Sequence, residues 1–71
     1  MSFIVVLTMR DTVKHGIEVS SQDEALSLLE LIAEGLEETD PVFKYYNDND
    51  ELTFVCNLQN LLYAHIEKKE N

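Results

Sequence analysis

The chain has 71 residues, too few for two separate cores, and is read as a single small domain spanning 1–71. Domains of this size bury only about 60% of the surface their unfolded chains expose, so they gain from a disulfide, a metal or a partner. Its single cysteine, Cys56, excludes an internal disulfide, and fourteen acids against five bases, net −9, argue against direct nucleic-acid or anionic-membrane binding.

The first apolar run, "SFIVVLTM", is hydrophobic on both alternating faces: Phe3, Val5, Leu7 and Met9 on one, Ile4 and Val6 on the other. Its β-branched content predicts a strand near the middle of a sheet. "RDT" reads as a turn. "VKHGIEV" then alternates, with Val13, His15, Ile17 and Val19 against Lys14, Gly16 and Glu18. Residues 3–19 therefore read as a hairpin, with Gly16 marking a bulge or a close backbone approach.

"SSQDEALSLLELIAEGLEETDP" predicts a helix. Ser21 and Glu24 fit a capping box, and early acids suit the helix dipole. Ala25, Leu28, Leu29, Ile32, Ala33 and Leu36 form one stripe, with Glu30, Glu34, Glu37 and Glu38 opposite. Pro41 stops the helix at or before Asp40. Leu31 breaks the pattern, falling about 100° from the centre of the stripe and among the acids, as either an incidental exposed leucine or a contact anchor. From Ser20 to Asp40 there are seven acids and no Lys or Arg.

"VFKYY", "NDND" and "ELTFVCN" read as strand, turn and strand. The ending "NLQNLLYAHI" fits two templates. As a helix, Leu58, Leu61, Leu62, His65 and Ile66 share a face, Asn57 caps, and Lys68 and Lys69 close the C-terminal end. As a strand, Leu62, Ala64 and Ile66 alternate with Leu61, Tyr63 and His65. The strand is favoured because the Leu52–Cys56 run needs an antiparallel neighbour, and because "NLQN" looks like a turn. The expected fold class is α+β, one helix on an antiparallel sheet in the order β-β-α-β-β-β, the alternative being β-β-α-β-β-α.

No constellation here carries strong chemistry. One cysteine and two distant histidines cannot form a zinc site of the usual spacing, and "NDNDE" lacks the glycine and terminal glutamate of a calcium loop. Cys56, in an apolar run of an acidic chain, lacks what activates a thiol and reads as a structural residue of a reducing compartment. His15 reads as a core or edge histidine. His65 shares a strand face with Tyr63 and Glu67, a geometry able to move protons but produced by alternation alone. No catalytic, metal-binding or cofactor-binding residue is assigned, and no cofactor is expected. With no secretory signal and no apolar run near the roughly 20 residues that span a bilayer, a cytoplasmic protein is expected.

By elimination the leading expectation is a non-enzymatic protein–protein interaction or regulatory module, a homodimer or a binder of another protein. A lone helix covers one sheet face, so the opposite face, with Phe43, Tyr45, Leu61 and Tyr63, plus Leu31 on the helix, is the expected interface. An alternative is an acidic inhibitor in which Glu30, Glu34, Glu37 and Glu38 mimic nucleic-acid phosphates toward a basic partner. A third reading is a small enzyme with His65 as acid or base.

Overall fold

The alternating runs become strands and the long amphipathic stretch becomes a helix, in the order β-β-α-β-β-β. The computed structural model describes residues 2–70. β1 (Ser2–Met9), β2 (Lys14–Val19), α1 (Gln22–Leu36), β3 (Val42–Tyr46), β4 (Leu52–Asn57) and β5 (Leu61–Lys69) follow one another, with a 3-10 turn, Leu58–Asn60, between the last two strands. No helix is long and apolar enough to cross a membrane among the described residues.

The strands form two sheets. β1 is central in the first, antiparallel to β2 on one side and β5 on the other. β3 and β4 pair with each other in a separate antiparallel sheet. The central place of β1 follows from its two apolar faces. The partner expected for the Leu52–Cys56 strand is different: it pairs back with β3, and β5 crosses to β1 instead. In the β1–β2 turn the Val13 N–H donates to Asp11 Oδ1 at 3.1 Å, and Thr12 is held at φ 71°.

One face of the three-stranded sheet carries Val5, Leu7, Ile17, Val19 and Leu61 into the core. Ala25, Leu28 and Ile32 of α1 and Phe43 of β3 close over them. The helix and the β3–β4 hairpin thus lie on the same side, and Phe54 of β4 rests against both Phe43 and the ring of His15. His15 is an exposed residue of the edge strand β2.

α1 starts where the capping pattern places it. The Glu24 N–H donates to Ser21 Oγ at 3.2 Å, while the Glu24 carboxylate reaches back to the Ser20 N–H at 3.3 Å, one residue before the expected partner. The helix ends at Leu36, earlier than Pro41 requires. The last turn tightens, with the Glu37 N–H donating to the Glu34 carbonyl and that of Glu38 to Gly35. Glu37 and Glu38 face the negative end of the dipole, which disfavours extension. Two stripe residues, Ala33 and Leu36, are exposed and line a shallow groove against β5.

Both templates for the ending are partly realised. Asn57 caps a single 3-10 turn, its Oδ1 accepting from the Gln59 N–H at 2.9 Å, and a nine-residue strand follows. The turn exists to bury Leu58, which is 1% exposed and whose N–H donates to the Pro41 carbonyl at 2.7 Å. Gly35 makes room for it: a Cβ there would lie 2.7 Å from Leu58 Cδ1.

Candidate interaction surface

Alternation along β1 sends Ile4, Val6 and Thr8 to the face that neither α1 nor the hairpin covers. β2 adds Lys14, Gly16 and Glu18 in register with Thr8, Val6 and Ile4. On the other side Tyr63, His65 and Glu67 of β5 stand opposite the same three residues. A register shift between Thr8 and Met9 makes this possible: Leu61 pairs with Met9 on the core face, and Leu62 becomes the extra residue, 59% exposed.

The centre of this open face is dry although nothing lies over it. Val6 is 8% and Thr8 5% exposed, screened by the side chains beside them. Gly16 helps, since a Cβ there would sit 3.0 Å from Ile4 Cγ2. The Tyr63 and His65 rings stack with centroids 5.8 Å apart, and His65 Nε2 lies 2.8 Å from the Glu67 carboxylate. Thr8 Oγ1 and His65 Nδ1 are both enclosed without a hydrogen-bond partner among the described residues.

Charge on this face is balanced. Lys14 and Lys69 match Glu18 and Glu67, and the other twelve acids stand on α1, in the turns and at Glu70. Glu18 accepts from Ser2 Oγ at 2.9 Å and from Lys69 Nζ at 3.2 Å. Those contacts, the Ser2 hydrogen bond first, hold its carboxyl below the usual range.

The sequence-derived interface residues separate. Tyr63 lies on the open face. Phe43 and Leu61 are corrections: they pack in the core on the side of α1 and the hairpin, away from the open face. The reason is topological, because β3 and β4 form their own sheet with Phe43 turned toward α1, and the β5 bulge turns Leu61 inward. Tyr45 is half-buried beside the core, and Leu31 is 57% exposed; these two meet in a groove on the other side of the molecule. Glu30, Glu34, Glu37 and Glu38 are all exposed. The open face also holds Ile4, Val6 and Thr8, which the expected interface did not include. Their signal was present in the two-sided apolarity of the first strand.

A second apolar set lies on the outer face of the hairpin, where Val42, Tyr46, Leu52 and Val55 are each about half exposed around Lys44. Cys56 faces inward on β4, and burial pushes its thiol above the ordinary range. Asn47 organises the "NDND" turn, its Oδ1 accepting from the N–H groups of Asn49 and Glu51 at 2.9 and 3.0 Å. Among the described residues no group of three or more His, Cys, Asp or Glu converges as metal ligands would. A scan against protein-family models found no match, nor did searches of curated proteins and of solved structures.

Proposed function

We propose that the protein is a cytoplasmic protein–protein interaction module without enzymatic chemistry, and that two copies meet through the open face of the three-stranded sheet. The observation that carries the reading is a sheet face that neither α1 nor the hairpin covers, centred on Ile4, Val6 and Thr8 and bordered by the exposed Tyr63, with local charge neutrality in a chain of net −9. A second copy is the occupant this charge-balanced face tolerates, whereas self-contact through the acidic helix would bring acids against acids. The dimer's two-fold axis also makes one sheet satisfy the other.

Register sets a testable geometry. Gly16, Val6 and His65 form one row across the three strands, with Lys14 two residues to one side and Glu18 two to the other. When two such faces pack with strands antiparallel about that row, Lys14 comes over the partner's Glu18, twice by symmetry. An exposed pair contributes about 0.2–1 kcal/mol, so Lys14→Glu weakens the dimer by about 1–2 kcal/mol, roughly tenfold in the dissociation constant. Lys14→Glu with Glu18→Lys restores most of it.

Light scattering on a size-exclusion column tests the face itself. Tyr63→Glu and Ile4→Glu are expected to give folded monomers, judged by far-UV circular dichroism, whereas Val55→Glu on the hairpin leaves the dimer intact. If only Val55→Glu dissociates it, the interface belongs to the hairpin and the reading is wrong. The acidic-inhibitor alternative draws support from the exposure of Glu30 and Glu34 on a helix free of Lys and Arg, and of Glu37 and Glu38 just past its end. Reversing those four charges should abolish capture of a basic partner.

A further inference from the structure

We propose that a groove between α1 and the β3–β4 hairpin binds a cationic peptide segment of another protein, one that carries an apolar anchor side chain between its charges. The groove runs along the first two turns of α1 and encloses about 350 Å³ beside Leu28, Leu31 and Tyr45. It continues past Tyr45 to the end of β2 as a second space of about 490 Å³. Val19, Glu24, Tyr45 and Asp48 border both stretches, so they form one channel.

The floor and the rim differ in chemistry. Val19 and Leu28 are buried, Tyr45 is half-buried, and Leu31 stands 57% exposed as the wall. Around them stand Glu18, Asp23, Glu24 and Asp48, supplied by three different segments of the fold. No Lys, Arg or His borders either stretch among the described residues. Lys69 touches the channel's rim only through Glu18, at 3.2 Å. A concave apolar surface bordered by one sign of charge focuses the field and favours an oppositely charged ligand.

Charge complementarity therefore selects the occupant. Lys and Arg side chains lay aliphatic stems on an apolar floor while their heads reach surrounding carboxylates. An aromatic or leucine side chain between them fills the space at Leu31 and Tyr45, a tyrosine-bearing pocket of the kind that dominates interface energetics. Leu31, the most exposed of the leucines of α1 at 57%, has in this groove a contact that would cover it. The stretch beside Leu28, Leu31 and Tyr45 lies on the α1 and hairpin side, away from the proposed dimer face, and the two surfaces meet at Glu18.

The test is a titration of the full-length, isotope-labelled chain with the acetylated, amidated peptide Lys-Phe-Lys-Leu-Arg, followed by amide chemical shifts. Saturable shifts at Leu31, Tyr45 and Asp48 are expected. Replacing Phe and Leu of the peptide by Gly should weaken binding at least tenfold. Leu31→Ser and Asp48→Lys, both at exposed positions and checked for the native amide fingerprint, should each weaken it at least fivefold. Glu30→Lys makes the same charge change outside the groove and should alter it less than twofold. Equal binding of the Gly-substituted peptide, equal loss in Glu30→Lys and Asp48→Lys, or shifts spread over the whole acidic surface would each overturn the proposal.

Discussion

Thr8→Val is the most informative single change on the open face. Thr8 is central in β1 and 5% exposed, and its hydroxyl has no partner among the described residues. A buried polar group left without a hydrogen bond costs about 1–3 kcal/mol. Valine keeps the β-branched shape and the strand preference, and exchanges the hydroxyl for a methyl worth up to about 0.8 kcal/mol when buried. In the unfolded chain both side chains are solvated, so the difference resides in the folded state. Thr8→Val should therefore stabilise by about 1–2 kcal/mol, raising the urea midpoint by about 1 M or more for a chain with an m-value near 1 kcal/mol/M. Unfolding is followed by far-UV circular dichroism at two protein concentrations, since association adds to apparent stability by mass action. Thr8→Ser, which keeps the hydroxyl and loses the methyl, should be less stable than the unaltered chain. A Val variant destabilised by 1 kcal/mol or more would show that the hydroxyl is bonded in solution and that the account of this face is wrong.

Three further outcomes are expected. Gly35→Ala gains up to about 1 kcal/mol of helix propensity but drives a methyl into Leu58, which is 1% exposed, an overpacking cost of about 1–3 kcal/mol, so thermal unfolding should move down by several degrees; an upward shift would refute the close-packed contact. Thr12→Gly relieves a β-branched residue held at φ 71°, where strain of about 1–3 kcal/mol exceeds the entropy cost of glycine, and should stabilise by about 1 kcal/mol in the same assay. Burial raises the Cys56 thiol pKa, so the folded chain keeps a proton that the unfolded chain releases. Its contribution to stability is complete below the ordinary thiol pKa and is lost as pH rises through the folded value; alkylation at pH 8 should accordingly be slower than that of a free thiol, and equal rates would contradict the buried placement.

Local signals were legible wherever the chain's neighbours in sequence decide the outcome. The helix start rests on Ser21 and Glu24, the first hairpin on alternation from Val13 to Val19, and the second turn on Asn47 and its own backbone. Pairing between distant strands was not legible, because periodicity fixes which residues share a face and says nothing about which strand lies alongside. β5 crosses to β1 after the Leu58 turn, which is seated against Gly35 and Pro41. The same gap misplaced Phe43 and Leu61: each was assigned to an exposed face by parity, and a separate hairpin and a one-residue bulge reversed the assignment. Tyr63 stands opposite Thr8 on the open face, since the bulge lies before it.

In the proposed dimer a second copy of the chain covers the sheet face of Ile4, Val6 and Thr8. Sedimentation equilibrium of the unaltered protein across a dilution series reads this directly. The expected mass falls from twice the chain mass to the chain mass with a single dissociation constant. A monomer at every concentration would contradict it and leave that face for a different protein.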